Sequence, residues 1–499
     1  MADQRSSGSS GGGRRPHRAP QRSRQRPSER GRTSDPQRLA AYTVLRAVAD
    51  GAYANLELPA VLRDRRITGR DAAFTTELVY GAVRMHGFYD PVVAVAAGRP
   101  VTKVDPGVLD TLRLGVHQIL GMRVPAHAAV AETVALARKV NGAGAAGFVN
   151  AVLRRVSERD RDAWLAEVVP QGDLTARLAV EQSHPEWVVK AMRAALLGHG
   201  AATPETVDEQ LTALVTADND PPKVSLVARP GLCSVAELVE AGAEASPLSP
   251  VGAVLPSGDP GAIRAVRDGR AAVQDEGSQL LALALAAVPV EAAGTERWLD
   301  LCAGPGGKAG LLAALAVQAG ADLVANEVSP HRADLVRQTL RPALERASAA
   351  GRVLEVRTGD GRTVGEDEPG SYARVLVDAP CTGLGALRRR PEARWRRTPA
   401  DLAGLGSLQR ELLASAIDAT APGGVVAYAT CSPHLAETQF VVGDVLKRRD
   451  DIEQLDVREY LRDAAGQPVA VPGDGPSAQL WPHVHGTDGM FLALLRKRA

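Results

Sequence analysis

Apolar residues recur with helical spacing over about residues 36 to 165, the first long patterned stretch of the chain. In the segment KVDPGVLDTLRLGVHQILG they occupy every fourth position from Val108 to Leu120 and form one stripe along a helix. Asp105 precedes the stripe as a candidate helix cap, and Gly121 ends it. No alternation of the kind that marks a strand interrupts this part of the sequence. The pattern therefore predicts an all-α bundle.

The pattern changes between about residues 171 and 270. The short apolar runs KVSLVAR and AVLP, which lie among Pro and Gly residues, are typical of strands. Ser183, in the segment SHPEWVVKAMRAAL, is a candidate cap for a further helix. These features together predict a small α+β module.

Beyond Glu296 short apolar runs alternate with helical patterns, as they do in a parallel α/β sheet. The runs are RWLDL, DLVAN, VLEVR, ARVLV and GGVVAYA. Each run is followed by polar or reactive residues: the loop CAGPGGKAG, Glu327, Asp360, Asp378 with Cys381, and Cys431. Ligands of open sheets bind beyond the carboxyl ends of the strands, so these residues are predicted to face one crevice.

Length and composition exclude several classes of protein. At 499 residues the chain is long enough for several domains with cores of their own. Its four cysteines include no CxxC pair and no histidine cluster with ligand spacing, which argues against a disulfide scaffold or a zinc site. No signal-peptide core and no uncharged apolar run of membrane-spanning length occurs. We expect a cytoplasmic monomer without a metal site or a membrane anchor.

The formal net charge of +1 conceals an uneven distribution. Residues 1–34 hold nine of the 59 basic residues and two of the 58 acidic ones, so the rest of the chain carries 50 basic against 56 acidic groups. This tail has almost nothing apolar to bury and is predicted to be disordered. It is interpreted either as an arm that contacts phosphates without sequence preference or as a solubilising extension.

The loop after the first strand has the spacing of a nucleotide-binding turn. Gly304, Gly306 and Ala309 match the relaxed G-x-G-x-x-[G/A] pattern, and Glu327 follows Gly304 by 23 residues. This acid would accept hydrogen bonds from ribose hydroxyls, which suits NAD and S-adenosylmethionine equally. A P-loop is not indicated, because Lys308 is followed by Ala309 rather than by Ser or Thr.

Two later acids favour S-adenosylmethionine. Asp360, after the third strand, is placed to meet an adenine amino group, and Asp378, after the fourth, to lie near the reactive end of the ligand. Each acid also has a simpler interpretation, as a helix cap or as one half of a loop salt bridge.

Three sequence blocks carry a resemblance to a known family. LDLCAGPGGKAG, DAPCTGLGALRRRPEARW and YATCSPHLAET resemble the signature blocks of the RNA cytosine-5 methyltransferases of the Sun/Fmu group. VQDEGSQLLALAL and HGTDGMFLALLRK support the match. The segments RVPAHAAVAETVALAR and GFVNAVLRR resemble the NusB-like domain that precedes the small-subunit ribosomal members of that group. The resemblance covers roughly residues 36 to 499.

The resemblance implies a methyltransferase that uses S-adenosylmethionine to modify a cytosine in RNA, with small-subunit rRNA as the expected partner. It implies Cys431 as the nucleophile and Cys381 as the group that assists release of the product. The cofactor-binding residues that it implies are Cys302, Ala303, Gly304, Pro305, Gly306, Gly307, Lys308, Glu327, Asp360 and Asp378.

The chemistry of cytosine agrees with two reactive cysteines. Carbon 5 of cytosine is a poor nucleophile and cannot attack a methyl sulfonium directly. Addition of a thiolate to carbon 6 converts the ring into an enamine-like species whose carbon 5 can attack. A base must then remove the proton from carbon 5 before the sulfur is eliminated. Lys308, at the start of the helix after the glycine loop, would favour a thiolate by its positive charge.

Arginines are concentrated directly after Cys381, where they could hold the phosphates beside an extruded base. They are Arg388, Arg389, Arg390, Arg394, Arg396 and Arg397. Trp395, in the same segment, is interpreted as a core residue or as a stacking platform for a base. Arg229, after the first strand of the small module, is interpreted as an RNA contact or as an ordinary exposed arginine.

The predicted domain organisation has four parts. A disordered basic tail covers residues 1–35, and a NusB-like helical RNA-binding domain covers residues 36–168. A small α+β RNA-binding module follows over residues 169–270, and a Rossmann-like methyltransferase domain over residues 271–499. The sequence leaves two alternative functions open, an NAD-dependent oxidoreductase and a catalytically silent RNA-binding or assembly factor. The first would leave both cysteines and the arginines unexplained.

The chain departs from the usual pattern of the resembling family at a few positions. Glu327 stands where Asp is usual, Gly304 where Ala is common, and Ala309 where Thr is common. The residues after TCSPHLAE also differ from the more usual acidic-Asn-Glu ending. The first three departures are expected to alter cofactor affinity rather than the identity of the cofactor.

Overall fold

The computed structural model of the chain describes residues 35–291 and 296–498. The predicted disordered tail, residues 1–35, lies outside these ranges except for Asp35. Within them, no helix is long and apolar enough to cross a membrane. The same ranges contain no cluster of His, Cys, Asp and Glu side chains that could hold a metal ion.

The N-terminal part consists of helices packed on two cores, one around Phe88 and Leu112 and the other around Leu78 and Leu114. The helices are α1 (Pro36–Ala49), α2 (Ala54–Asp64), α3 (Gly69–Ala97), α4 (Pro106–Leu120), α5 (Ala126–Val140), α6 (Ala143–Val156) and α7 (Arg161–Val168). The side chain of Asp105 accepts hydrogen bonds from the first turn of α4, as the sequence predicts. The predicted all-α bundle is confirmed.

The next region combines five helices with a small antiparallel sheet. Its elements are α8 (Leu174–Glu181), α9 (Glu186–Gly198), α10 (Val207–Ala217), β1 (Val224–Ala228), α11 (Val235–Glu240), β2 (Glu244–Ala245), β3 (Gly252–Leu255), α12 (Arg264–Arg267) and β4 (Ala271–Val273). The strand order is β2-β3-β1-β4. The predicted α+β character is confirmed, and β4 lies just beyond the residue at which the sequence analysis ended this module.

Two predictions for side chains of this region are wrong. Ser183 does not cap α9, whose N-cap residue is Pro185; its hydroxyl instead accepts a hydrogen bond from the amide of Gly87 in α3. Arg229 is neither exposed nor available to RNA, because it is buried and donates to the carbonyl oxygens of Gly269 and Thr339. Burial lowers the pKa of this guanidinium to about 10.

The C-terminal part is built on one large sheet with helices on both faces. Its elements are α13 (Glu276–Ala287), β5 (Arg297–Asp300), α14 (Gly307–Gln318), β6 (Asp322–Glu327), α15 (Pro330–Ala349), β7 (Leu354–Thr358), α16 (Val364–Asp367), β8 (Tyr372–Asp378), α17 (Ala393–Arg396), α18 (Asp401–Ala419), β9 (Thr420–Thr430), α19 (Gln439–Leu446), β10 (Ile452–Leu455), β11 (Ala478–Gln479), α20 (Pro482–His485) and β12 (Phe491–Lys497).

The order of the strands creates a single crevice at one edge of this sheet. Neighbouring strands follow the order β10-β12-β9-β8-β5-β6-β7, with β11 paired to β12. Strands β5 to β9 pair in parallel with one another, whereas β12 pairs antiparallel with both β9 and β10 at the side of the sheet. The chain winds outward in one direction from β5 to β7 and in the other from β8 to β9. Ligands bind at such a reversal point, between β5 and β8, and the predicted Rossmann-like fold is confirmed.

Candidate functional site

The predicted site residues follow the carboxyl ends of adjacent parallel strands. The glycine loop follows β5, and Glu327 is the last residue of β6. Asp378 ends β8, and Cys431 comes directly after β9. Parallel pairing of these strands brings their ends to the same edge of the sheet. The side chains therefore share one crevice, and the contacts among them define three pairs.

The first pair joins the glycine loop to Glu327. Oε2 of Glu327 accepts a hydrogen bond from the amide of Gly304 at 3.0 Å, and Oε1 accepts one from the amide of Ser329 at 3.0 Å. Arg332 covers the carboxylate with an ion pair of 3.4 Å and donates to the carbonyl oxygen of Gly304. Gly306 has a φ of 113°, which allows the loop to turn directly into α14. These bonds fix the loop against the end of β6.

The remaining loop residues divide between buried and exposed positions. Ala303 is buried, and its amide donates to the carbonyl oxygen of Asn326 at 2.8 Å. Burial raises the pKa of the Cys302 thiol well above its ordinary value, which disfavours its thiolate form. Pro305 and Gly307 are exposed, and a Cβ at Gly307 would meet only open space. The loop therefore leaves room for a ligand above the helix start.

The second pair is an ion pair at the centre of the crevice. Nζ of Lys308, in the first turn of α14, lies 2.9 Å from Oδ2 of Asp378. Burial lowers the pKa of the Lys308 ammonium, but attraction to Asp378 outweighs it and leaves the pKa raised. The lysine is therefore a fixed positive charge beside the ends of β5 and β8.

The third pair consists of the two predicted catalytic cysteines. Sγ of Cys381 lies 3.4 Å from Sγ of Cys431, although the residues are 50 positions apart in the sequence. Both lie in loops that follow adjacent parallel strands, β8 and β9. The sulfur atoms are close enough to share a proton, and both cysteines are half-buried.

The surroundings of the two sulfur atoms differ in charge. The hydrogen bond from Cys381 lowers the pKa of the Cys431 thiol, and the charges of Lys308 and Arg390 lower it further. The pKa of Cys381 is raised well above its ordinary value, by its bond to Cys431, by burial and by nearby carboxylates. These directions favour a thiolate on Cys431 over a thiolate on Cys381.

Asp360 lies at the rim of the crevice. Its carboxylate accepts a hydrogen bond from the guanidinium of Arg362 at 2.6 Å. That bond lowers the pKa of Asp360. Asp360 is linked to the site through the backbone, because the amide of the preceding Gly359 donates to the carbonyl oxygen of Glu327. The simpler interpretation, a loop salt bridge, thus describes its present contacts.

Asp300 is a residue of this crevice that the sequence analysis missed. It ends β5, it is 1% exposed, and its Oδ1 has no hydrogen-bond partner among the described residues. Burial and the nearby charge of Asp378 raise the pKa of its carboxyl to about 8. A polar residue at the end of an apolar strand was the available signal, since Asp300 is the fourth residue of RWLDL, shortly before the glycine loop begins.

Most of the predicted phosphate-binding arginines are structural. Arg388 is buried and donates to the carbonyl oxygen of Gly486. Arg389 forms ion pairs with Asp275 at 2.7 Å and with Asp488 at 3.1 Å. The prediction that these two arginines hold phosphates is therefore wrong, because carbonyl and carboxylate oxygens of the protein already occupy their donors.

Arg394 and Arg396 fasten the catalytic domain to the helical regions. Arg394 is fully buried and donates to the carbonyl oxygen of Ser183 and to Oδ1 of Asn219, both at 2.9 Å. Arg396 donates to the carbonyl oxygen of Val48 at 3.0 Å. For these two residues the phosphate-binding prediction is also wrong.

The remaining members of the segment lie closer to the surface. Arg390 is exposed, and its Cζ lies 5.6 Å from the ring centre of Tyr53 in the helical domain. Arg397 is half-buried. Trp395 packs against His86 with ring centres 4.4 Å apart, in agreement with its interpretation as a core residue. Arg390 and Arg397 are thus the two arginines of the segment for which an RNA contact stays a prediction.

Comparison with known families gives two matches that together cover most of the chain. The family described as 16S rRNA methyltransferase RsmB/F matches residues 287–496. The NusB family matches residues 35–158. Both matches agree with the resemblance drawn from the signature blocks.

Relatives of similar length align with this chain almost from end to end. Ribosomal RNA small subunit methyltransferase B of Pseudomonas syringae pv. tomato is 34% identical over 93% of this chain and 97% of its own length. A Mycobacterium tuberculosis protein named as a methyltransferase is 52% identical over 94% of this chain and 98% of its own. A solved structure titled "Crystal Structure of PH0851" shares the fold, with a TM-score of 0.75 and 20% identity over 93% of this chain and 99% of that chain.

Proposed function

The chain belongs to the RsmB/F family of 16S rRNA methyltransferases, and on that premise we propose that it methylates carbon 5 of a cytosine in small-subunit rRNA through a covalent cysteine–cytosine intermediate. The observation that carries the proposal is the 3.4 Å separation of the Cys381 and Cys431 sulfur atoms at the ends of adjacent strands. Two thiols in contact, of which one is favoured as thiolate, suit a reaction that forms and then breaks a carbon–sulfur bond.

Members of this family use S-adenosylmethionine, which supplies an electrophilic methyl group on a sulfonium. The glycine loop fits this cofactor, because Glu327 presents a carboxylate with spare acceptor capacity at the end of β6, and open space lies above Gly307. Gly304, Gly306 and Glu327 would hold the nucleoside part. The Asp378 carboxylate, which neutralises Lys308, would lie towards the reactive end.

In the proposed reaction, the Cys431 thiolate attacks carbon 6 of the cytosine and forms a carbon–sulfur bond. The electron pair displaced onto the ring makes carbon 5 nucleophilic, so that it would accept the methyl group as the methyl–sulfonium bond breaks and leaves a neutral thioether. A base then removes the proton from carbon 5, and the bond between carbon 6 and Cys431 breaks, which restores the ring and the thiolate. Cys381, in contact with the same sulfur, assists this release.

Lys308 and the helical domain support these steps in different ways. The ammonium of Lys308 stabilises the thiolate of Cys431 before attack. Tyr53 of the helical domain lies beside the exposed Arg390, which also lowers the pKa of Cys431. We propose that RNA enters from this side. A single-stranded or loop segment is favoured, because the target ring must be unstacked before a thiolate can reach it.

Substitution of each cysteine tests the proposal. Cys431→Ala should bind S-adenosylmethionine but form no bond to RNA and transfer no methyl group. Cys381→Ala should attack and methylate but release product slowly, which leaves a protein–RNA species that survives denaturation. The measurement is transfer of labelled methyl to small-subunit rRNA, followed by denaturing electrophoresis.

Cys233→Ala provides the matched control, because this half-buried cysteine packs in the small module and should neither trap RNA nor lose activity. Adducts with Cys431→Ala but none with Cys381→Ala would reverse the two roles. RNA binding without methyl transfer by the wild-type chain, on rRNA isolated from cells that lack the gene, would instead favour a catalytically silent assembly factor.

A further inference from the structure

Glu437 is a buried acid that contacts both cysteine loops. It lies just after the loop of Cys431, in the short turn Leu435–Glu437, and its residue exposure is 0%. Its backbone is anchored as well, since the hydroxyl of Tyr428, near the end of β9, donates to its carbonyl oxygen at 2.8 Å. The mechanism proposed above uses neither this carboxylate nor its partners.

The carboxylate of Glu437 joins the two loops by direct hydrogen bonds. Oε1 accepts from the amide of Thr382, the residue after Cys381, at 2.8 Å, and Oε2 accepts from the Thr382 hydroxyl at 2.5 Å. The same Oε2 accepts from the hydroxyl of Ser432, the residue after Cys431, at 2.6 Å. One side chain therefore holds the immediate neighbours of both sulfur atoms.

A third element contributes to the same arrangement. Nε2 of Gln409, in α18, lies 3.3 Å from Oε1 of Glu437 and donates to the carbonyl oxygen of Pro380 at 2.8 Å. The Thr382 and Ser432 hydroxyls also lie 3.2 Å from one another. The loop of Cys381 is thus tied on both sides of its cysteine.

These partners are unusual for a buried acid, because every one of them is a neutral amide or hydroxyl. Removal of a carboxylate from water is costly, and hydrogen bonds from neutral donors offset the cost only when several converge. A buried apolar side chain of similar size would fill the space without that cost. The position of the acid is therefore better explained by what it orients than by the stability it supplies.

We propose that Glu437 is a positioning residue for the methyl-transfer reaction, whose carboxylate holds the loops of Cys381 and Cys431 so that both sulfur atoms act on one carbon–sulfur bond. This inference rests on the proposed function. Its charge also supports the division of roles between the cysteines, since it adds to the bond from Cys431 and to burial in raising the pKa of Cys381.

Replacement of the acid should separate attack from release. In Glu437→Ala the Cys431 thiolate is still present, so its bond to carbon 6 of the cytosine forms. Cys381, however, is no longer held against the sulfur of Cys431. We expect kcat to fall on the order of 100-fold, because displacement of a reacting group by about 1 Å has effects of that size. The KM for RNA and the affinity for S-adenosylmethionine should stay within a few-fold, and methylated protein–RNA adduct should accumulate although Cys381 is intact.

Glu437→Gln tests the bridge without the charge. Its amide oxygen can still accept from the Thr382 amide, and its NH₂ group can bond hydroxyls that rotate to accept. This variant should recover most of the kcat that Ala loses and should form less adduct. Recovery by the isosteric amide is a result that loss of folding alone would not produce.

Glu368→Ala is the matched control for loss of a partly buried acid. Glu368 bonds Arg357 and Tyr372, and Tyr372 begins β8, so this acid lies at the opposite edge of the same sheet. The Glu368→Ala variant should have a lower melting temperature but should accumulate no protein–RNA adduct. A folded Glu437→Ala variant with wild-type kcat and no adduct would overturn the inference, as would one in which kcat and cofactor affinity fall together. If Cys381→Ala itself traps no adduct, the proposed function fails instead.

Discussion

The amide of Gly304 donates to Oε2 of Glu327 at 3.0 Å, and a side chain at position 304 would overlap that carboxylate. Both residues depart from the pattern of the resembling family, in which Ala and Asp are the common residues at these positions. The longer acid reaches the loop amide, and the missing Cβ leaves room for it. The two departures therefore compensate for one another.

This compensation predicts coupling between the two positions. Gly304→Ala should weaken binding of S-adenosylmethionine, because the new methyl group displaces the carboxylate, and Glu327→Asp should weaken it by withdrawing the acceptor from the loop. The double variant should lose less binding free energy than the two single variants lose in sum. The difference, which is the coupling free energy, should be on the order of 1 kcal/mol. Titration calorimetry on the three variants measures this quantity. Strictly additive losses would show that the positions act independently.

Asp300 predicts a pH dependence of stability. Its folded pKa is raised to about 8, so the folded chain keeps a proton that the unfolded chain releases near pH 4. Between about pH 4 and pH 8 the free energy of unfolding must therefore fall as the pH rises, by about 1.4 kcal/mol per pH unit for this one group. Asn has no proton to lose. The stability of Asp300→Asn relative to the wild type should therefore increase as the pH rises to about 8 and should stay constant above that pH.

Urea denaturation between about pH 6 and pH 9 provides the measurement. The difference in unfolding free energy between Asp300→Asn and the wild type should widen with pH and then level off. Asp322→Asn, at the start of β6, serves as the control, because its carboxylate only accepts a bond from the Val353 amide at the surface. A constant difference across the range would show that Asp300 is ionised in the folded chain.

The strand-end residues could be predicted from the sequence because their placement depends on local order alone. Each apolar run is a strand, parallel strands end at the same edge, and whatever follows them must gather there. The contact between Cys381 and Cys431 follows from that rule without knowledge of any distant residue. The same reasoning predicted the position of Glu327 beside the glycine loop.

The arginines could not be interpreted in this way, because burial depends on partners far away in the chain. Arg394 bonds Ser183 and Asn219, which are 211 and 175 residues distant. An arginine after a catalytic motif gives no sign of whether carbonyl oxygens or solvent will surround it. Glu437 was overlooked for the same reason, since its bond to Thr382 spans 55 residues. Polar residues in a sequence motif can hold the backbone of the site in place rather than take part in the reaction.

Lys308 predicts the reactivity of the nucleophile. Its positive charge lowers the pKa of Cys431, in addition to the larger effect of the bond from Cys381. Lys308→Met should therefore raise that pKa, reduce the thiolate at neutral pH and move the alkylation rate profile of Cys431 to higher pH. Mass spectrometry of the Cys431 peptide after brief iodoacetamide treatment measures the profile. Lys190→Met, at an exposed pair with Glu186, should leave it unchanged; an equal shift in both variants would contradict the assignment.

Arg394 and Arg390 lie four positions apart in one segment but should behave in opposite ways when replaced by Ala. Arg394→Ala leaves buried carbonyl oxygens without donors, at a cost of about 1–3 kcal/mol each, and should lower the melting temperature. Arg390→Ala removes an exposed charge and should leave the melting temperature unchanged. It should also reduce the salt dependence of RNA binding, by roughly 0.7 in logarithmic slope if one phosphate contact on a single strand is lost. Binding of an rRNA fragment at several salt concentrations measures the slope, and an unaltered slope in Arg390→Ala would show that this arginine only faces solvent.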